Sequence, residues 1–338
     1  MSTTTTSVTS RRLSGGRDWG RVVPRTIVLP AVAVFGLLWL VPFTVDIGEY
    51  YLGLGTLALI FVVAGLGWNV LGGLVGQISF GHAVFFGAGA YVSARTAGSG
   101  VPYVLALTLG ALAAAAYGVI WGYPTLRLRG PYFAIATIGV GEATRIAMLN
   151  TPSFTGGASG LQVSGAELSA FGDYQVALLL GLLAFAVHVT IQRSKFGVGL
   201  AAIRGDVDAA SDVGVDPARY QVYALAASAA LVGLAGGWYA HVQKFIEPND
   251  VFGFELSVAL ILIPLIGGLG TLWGPLLGAF VYIVVQETLQ ANLSAALSLG
   301  IYGALVVAII LAEPLGLVGA GRRLRRGLSG LRARAGGD

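Results

Sequence analysis

Four polar residues interrupt long apolar stretches of this sequence: Asn69, Gln77, Ser79 and His82. An amide, hydroxyl or imidazole in hydrocarbon is costly without a partner, so such side chains face protein or a water-filled passage. We interpret the four residues as candidates for the lining of a passage through a membrane. The alternative is structural: Asn69 and Ser79 bond to helix carbonyls of neighbouring helices, and His82 is a satisfied donor between helices.

Glu142 and Arg145 are opposite charges three residues apart in another apolar segment. Residues at this spacing lie on one face of a helix, where pairing lowers the cost of placing both in a membrane. We therefore favour a structural pair. Proton-coupled transport needs an isolated carboxylate deep in a helix bundle, and Glu142 is the only tolerable candidate for it.

The polar segment 205–217 lies between two apolar runs and predicts a short helix. Asp206 is a favourable N-cap, Asp208 is an anion in the first turn, and Gly214 permits a left-handed stop. Pro217 prevents continuation, so the helix has about two turns. A helix this short is marginal alone in water, and we expect it to dock against another surface. The alternative is a loop that merely reconnects two spans.

Motifs for enzymatic chemistry are missing from the sequence. The chain has no cysteine and only three scattered histidines, which argues against disulfides, thiol-ligated metals and a histidine metal site. Neither Lys195 nor Lys244 follows a glycine, as a phosphate-binding P-loop requires. Trp273 stands where a dinucleotide-binding motif beginning at Gly268 and Gly270 needs its third glycine. We therefore expect neither an enzyme nor a cofactor.

The composition places the chain in a membrane. Hydrophobic residues make up 56% of the 338 residues and charged residues 11%, and several apolar runs approach the roughly 20 residues that cross a bilayer as a helix. Fifty-one glycines would destabilise soluble helices, whereas in lipid small residues allow close helix packing. We expect this packing role of Gly87, Gly89, Gly110, Gly233, Gly236 and Gly237.

The apolar runs predict an all-α polytopic integral membrane protein with about ten transmembrane helices. The range is eight to ten, because each of two uncharged breaks, 72–77 and 267–271, is either a true loop or a re-entrant turn buried in protein. The predicted spans are 26–43, 51–71, 78–94, 103–123, 131–149, 174–191, 221–241, 254–270, 274–290 and 297–313.

The arginines indicate how the chain is oriented. They are concentrated in a polar tail, 1–25, and in a second tail, 314–338, on either side of one transmembrane domain, 26–313. By the positive-inside rule both tails are cytoplasmic, so the number of spans is even. Because the arginines gather at the ends of the chain rather than on a folded face, the net charge of +4 does not indicate nucleic-acid binding.

The loops agree with this orientation. Under a count of ten spans, the turn that carries Arg127 and Arg129 falls inside, as does the basic loop 192–220. The loop 150–173, which has no lysine or arginine, falls outside together with the connection around Glu247.

Five motifs, in the right order, resemble one family over roughly residues 50 to 315. This family comprises the membrane permeases of branched-chain amino acid ABC importers, and the chain looks most similar to the M-type (LivM-like) subunit. The motifs are LGGLVGQISFGHAVFFGAGAY (71–91), LRGPYFAIATIG (128–139), TGGASGL (155–161), FGVGLAAIRGDVDAASDVGVDPARYQ (196–221) and IGGLGTLWGPLLGA (266–279).

The resemblance implies a multi-pass permease of a bacterial inner membrane. Its partners would be a sister permease subunit, two cytoplasmic ATP-binding subunits and an extracytoplasmic solute-binding protein. ATP would be hydrolysed on the separate subunits, and branched-chain amino acids would be carried through the bundle. Related permeases carry urea or short amides, and the motifs do not separate these substrates.

The resemblance also assigns a role to the loop 192–220. The family's cytoplasmic coupling signature is Glu-Ala-Ala, three intervening residues and Gly, and it matches Asp208, Ala209, Ala210 and Gly214. Aspartate replaces the family's glutamate, which keeps the charge and shortens the reach. The loop would therefore couple the permease to the ATPases, and its remaining candidate residues are Arg204 and Asp206.

Two other classes of function stay open. A secondary transporter driven by an ion gradient needs a midplane ion site of carboxylates and broken helices, and this chain is poor in buried acids. A purely structural or assembly subunit has no passage of its own, and the polar cluster from Asn69 to His82 argues weakly against it.

Overall fold

A computed structural model describes residues 25–44, 48–164, 168–292, 297 and 316–319. These residues are almost entirely α-helical, with one two-stranded antiparallel sheet, and the expected all-α class is confirmed. The helices are α1 (Arg25–Thr44), α2 (Glu49–Asn69), α3 (Ala83–Gly98), α4 (Tyr103–Thr125), α5 (Pro131–Leu149), α6 (Pro152–Thr155), α7 (Ala170–Arg193), α8 (Lys195–Gly205), α9 (Val207–Asp212), α10 (Pro217–Gln243), α11 (Pro248–Val251), α12 (Phe254–Gly267) and α13 (Gly274–Asn292), and the strands are β1 (Leu161–Gln162) and β2 (Phe245–Ile246).

Nine of the ten predicted spans coincide with helices in the described part of the chain. The tenth, 297–313, lies outside the described residues apart from its first position, as do nearly all of the two tails. The multi-pass character is therefore shown, whereas the number of ten stays a prediction. Six helical segments are long and apolar enough to cross a bilayer: Glu49–Val75, Tyr103–Thr125, Pro131–Leu149, Ala170–Arg193, Pro217–Gln243 and Pro248–Gly267.

The first predicted break lies where one long helix changes from α-helical to π-helical geometry and then ends. α2 runs directly into a π-helical turn, Val70–Val75, which ends at Gly76 with a φ of 85°. Glycine adopts this left-handed conformation without steric cost, so the helix ends there. An irregular segment, 76–82, leads to α3, which begins at Ala83 rather than at residue 78 as predicted. Parts of this segment are buried in protein, as a re-entrant turn requires.

The second predicted break is a tight turn between α12 and α13. The amide of Gly268 donates to the carbonyl oxygen of Pro264 at 2.8 Å, and Gly270 adopts a φ of 72°. Thr271 closes the turn, because its hydroxyl donates to the Gly268 carbonyl oxygen at 2.7 Å and accepts from the amide of Gly274 at 3.0 Å. The two helices that meet here pack against each other and against α2.

The centre of the bundle is α10, which packs against α2, α3 and α4. The close packing predicted for the glycines is confirmed at these contacts. A Cβ added at Gly89 of α3 would overlap the carbonyl oxygen of Gly233 on α10, and one added at Gly236 would overlap the carbonyl oxygen of Phe86. Without side chains at these positions the helix backbones touch, which maximises van der Waals contact where lipid supplies no hydrophobic driving force.

The loops gather at two opposite ends of the bundle. At one end Arg129, in the turn after α4, pairs with Asp208 of α9 at 2.9 Å. At the other end β1 pairs with β2, with Leu161 opposite Ile246. The loops predicted to be internal thus meet at one end, and those predicted to be external meet at the other.

Candidate coupling loop and passage

The short helix predicted in the segment 205–217 is α9, and its caps are those expected. The Asp206 carboxylate accepts from the amides of Asp208 and Ala209, each at 2.9 Å. Gly214 has a φ of 86°, its amide donates to Ser211, and the next amide, of Val215, donates to the carbonyl oxygen of Ala210. These bonds form a Schellman motif, which satisfies carbonyls that the end of a helix leaves without partners.

This loop contains a second helix, α8, which was not predicted from the sequence. It begins after Ser194, whose hydroxyl accepts from the amide of Gly197 at 3.2 Å, and this serine was the available signal. The many glycines of the segment, which are poor helix formers, obscured it. Only Asp206 separates α8 from α9, and its amide donates to Ala202 of α8 at 3.0 Å.

α9 leaves most of its surface exposed. Ala210 is its one buried residue and is 2% exposed. Asp208 and its partner Arg129 have side chains that are 76% and 69% exposed. The hydrogen bond and the charge of Asp208 raise the pKa of Arg129, so the guanidinium stays charged. The helix is thus fastened to the bundle on one side and presents an acidic face to the outside of the molecule.

Asn69, the last residue of α2, is completely buried and bonds the end of this helix to the second break. Its Oδ1 accepts from the amide of Gly270 at 2.9 Å, and its Nδ2 donates to the carbonyl oxygen of Thr271 at 3.0 Å. His188 of α7 lies 3.4 Å from the same Nδ2. The side-chain amide of Asn69 is therefore bonded within the protein, as the structural alternative expects.

His82 is also buried, between α2, α3 and α10. Its Nε2 lies 2.9 Å from the hydroxyl of Ser228, which donates to the carbonyl oxygen of Gly67 at 2.7 Å. Within the described part of the chain its Nδ1 has no hydrogen-bond partner. The imidazole therefore lies in a helix junction.

Ser79 and Gln77 lie on the irregular segment 76–82. Gln77 is partly exposed, whereas Ser79 is buried and borders a cavity of about 30 Å³ between α3, α4, α5 and α10. This volume has room for about two water molecules at most and is too small for an amino acid. The cavity combines hydroxyl groups with apolar walls, and its lining includes Ser79, Tyr117, Thr125, Phe133, Thr137 and Val140. Except for Ser79, the sequence analysis did not find these residues, because they come from separate helices.

α5, which forms one wall of this cavity, is the least buried of the candidate spans. Its buried residues are Phe133, Thr137 and Thr144. The opposite side carries Glu142, which pairs with Arg145 as the sequence predicts, with Nε to Oε2 at 2.9 Å. Arg145 also donates to Asn249 at 2.6 Å, while the Glu142 side chain stays 47% exposed.

Replacing Asn69 by leucine should destabilise the protein. The substitution keeps the branched shape and the number of side-chain heavy atoms but leaves the partly buried amide of Gly270 and the carbonyl of Thr271 without the asparagine as partner, which costs about 1–3 kcal/mol. We expect a lower thermal unfolding midpoint of the detergent-purified chain. The control is Asn150→Leu at an exposed position, which removes a bond to the carbonyl oxygen of Ile146 at 2.8 Å; because water can replace this bond, a change of at most about 1 kcal/mol is expected. Equal stability of both variants would show that the hydrogen bonds of Asn69 to Gly270 and Thr271 do not stabilise the protein.

The fold and these sites define the class of protein: an all-α, multi-pass membrane protein with a capped loop helix at one end of its bundle. The chain belongs to the family described as branched-chain amino acid transport system, permease component, whose model matches residues 50–310. It is accordingly a multi-pass protein of the bacterial inner membrane.

Curated relatives agree with this family. The chain is 33% identical to the high-affinity branched-chain amino acid transport system permease protein LivM of Escherichia coli and to that of Salmonella typhimurium. Each alignment covers 88% of this chain and 76% of the relative. It is 23% identical to the permease protein LivH of Escherichia coli, over 78% of this chain and 92% of the relative. No solved structure matches the chain.

Proposed function

We propose that this chain is the membrane-spanning permease subunit of an ABC importer for branched-chain amino acids and that separate subunits hydrolyse the ATP. The observation that carries the proposal is α9: a short helix, capped at both ends and exposed at the end of the bundle where the basic loops meet. The family and the names of the relatives support the substrate.

The proposed partners are a sister permease, two ATP-binding subunits and an extracytoplasmic solute-binding protein. The similarity to both LivM and LivH supports a pair of sister permeases. The binding protein supplies affinity outside, and ATP-driven closure of the ATPases moves the coupling loop and changes the access of the bundle. We propose ten spans with the tails 1–25 and 314–338 in the cytoplasm.

The coupling surface that we propose is the exposed side of α9. Because Asp206 and Gly214 fix its two ends, the helix can be displaced as a rigid unit rather than unwound. Arg129, in the turn after α4, donates two hydrogen bonds to the Asp208 carboxylate and thereby orients the acidic face of α9. Asp208 and Ala209 present that face, and Ala210 anchors it from beneath.

The passage that we propose includes the cavity that Ser79 borders, which in this structure is too small for the substrate. Hydroxyls and backbone dipoles suit the transport of a zwitterionic amino acid, because fixed charges in the passage would bind it too tightly for release. Ser79 and Thr137 supply hydroxyls, and Phe133 and Val140 supply an apolar wall for a branched aliphatic side chain. Among the four sequence candidates, Ser79 borders this cavity, Gln77 lies beside it in the chain, and Asn69 and His82 hold the surrounding helices.

The exposed side of α5 is the surface that we assign to the sister permease. Glu142 lies within a membrane-spanning helix, where an exposed carboxylate facing hydrocarbon is costly. A protein neighbour removes this cost by covering the pair of Glu142 and Arg145. The exposed small residues Gly139 and Ala143 of the same helix allow close approach.

The energy source tests the proposal. The complex that copurifies with the tagged chain is reconstituted in vesicles with the binding protein, and leucine uptake is measured with and without ATP on the ATPase side. We expect uptake to require ATP and to survive collapse of the proton gradient. Robust uptake by the chain alone, driven by an ion gradient, would reject the proposal.

A further inference from the structure

Arg204 connects the coupling loop to the membrane part of the bundle. It lies in the last turn of α8, and its side chain reaches the π-helical turn Val70–Val75, where Nη1 donates to the carbonyl oxygen of Gly73. The stem of the side chain lies against the end of the same turn, because a Cβ added at Gly76 would be 3.0 Å from Arg204 Cγ.

The same guanidinium touches the second break. A Cβ added at Gly270 would lie 2.5 Å from Arg204 Nη1. Arg204 therefore contacts both breaks at once, and in the interior Asn69 bonds the end of α2, directly before the first break, to the second break.

Electrostatics favours a cation at this position. Both breaks follow the C-terminal end of a helix, where the last carbonyls have no partner within the helix and the dipole is negative. The Gly73 carbonyl is one such group, and the end of α12 lies just before Gly270. An arginine hydrogen bond to a helix C-terminus satisfies the carbonyl and the dipole together.

α9 is connected to these breaks through few residues, so a displacement of α9 can reach them directly. Asp206 alone separates α9 from the helix that carries Arg204, and its amide and carboxylate bond to both helices. On the other side, the π-helical turn leads into the segment 76–82, from which Ser79 and Gly81 border the cavity.

We infer that Arg204 is a positioning residue of transport: it transmits the displacement of the coupling loop to the two breaks and so to the cavity that Ser79 borders. The inference rests on the proposed function. The inference assigns transmission to Arg204, an exposed residue whose side chain contacts both breaks, and leaves the docking of the ATPase to α9.

The test compares Arg204→Gln, Arg204→Lys and Arg127→Gln in the reconstituted complex. Arg127 is an exposed arginine at the same end of the bundle, in the turn after α4, and its replacement makes the same change in charge. Leucine uptake, ATP hydrolysis and the amount of copurified ATPase are measured on each preparation. The readout is the amount of leucine imported per ATP hydrolysed.

We expect Arg204→Gln to lower this ratio about tenfold, as the loss of one charged hydrogen bond predicts, with ATPase content and hydrolysis nearly unchanged. Arg204→Lys, which keeps a charged donor, should recover part of the ratio, and Arg127→Gln should match the parent. An unchanged ratio in Arg204→Gln, or a loss of ATPase in proportion to uptake, would overturn the inference. If Arg204→Gln does not assemble, Arg204→Lys decides: a ratio below that of the parent supports the inference, because an ammonium does not reproduce the guanidinium fork, and a parental ratio overturns it. Absence of ATP-dependent uptake in the parent would instead reject the proposed function.

Discussion

Gly89→Leu is expected to leave almost no folded protein in the membrane. A side chain at this position would be directed into the carbonyl oxygen of Gly233 on α10, which is backbone and cannot move aside as a flexible side chain does. Overpacking a tight core typically costs about 1–3 kcal/mol and occasionally more, and the contact lies at the central helix of the bundle. The measurement is the monodisperse fraction of a fluorescent fusion on size-exclusion chromatography.

The matched control is Gly53→Leu in α2. A Cβ at Gly53 meets no atom within 4 Å, so the same substitution fits without displacing anything. We expect a monodisperse fraction close to that of the parent. Gly89→Ala should give an intermediate result, because it adds one methyl group to the same contact. If Gly89→Leu behaved like Gly53→Leu, the close approach of α3 and α10 would be wrong.

Gly214→Val and Asp208→Lys are both expected to abolish ATP-dependent uptake while inserting into the membrane normally. Valine at Gly214 has open space but must adopt a φ of 86°, which costs about 1–2 kcal/mol and misdirects the chain after α9. Lysine at position 208 loses the pairing with Arg129 and reverses a favourable dipole interaction of about 0.3–1 kcal/mol. Uptake and the amount of copurified ATPase are the measurements, and both should fall.

Gly205→Val is the control for the backbone effect. Gly205 lies in the same loop, a Cβ there also meets open space, and its backbone is not in the left-handed region. We expect this variant to keep uptake and ATPase near the parental values. Parental uptake in Gly214→Val and Asp208→Lys, with the ATPase complement intact, would mean that α9 only connects two spans.

The sequence alone predicted those features that depend on neighbouring residues. The membrane class follows from long apolar runs, and the ends of α9 follow from the N-cap at Asp206 and the left-handed stop at Gly214. The two breaks were visible as well, because glycines and polar residues interrupt apolar runs there. The packing role of Gly89 and Gly236 was predictable because small residues in membrane-spanning helices allow the backbones of two helices to approach closely.

The partners of the polar residues could not be predicted in this way. Asn69 bonds to Gly270 and Thr271, and Arg204 bonds to Gly73; each pair is more than 100 residues apart in the chain. Helices that are apolar all round carry no periodic signal to show which side faces protein and which faces lipid. The sequence therefore indicated which polar side chains need a partner, and the packing of distant segments determined which partner each one has and which of them border the cavity.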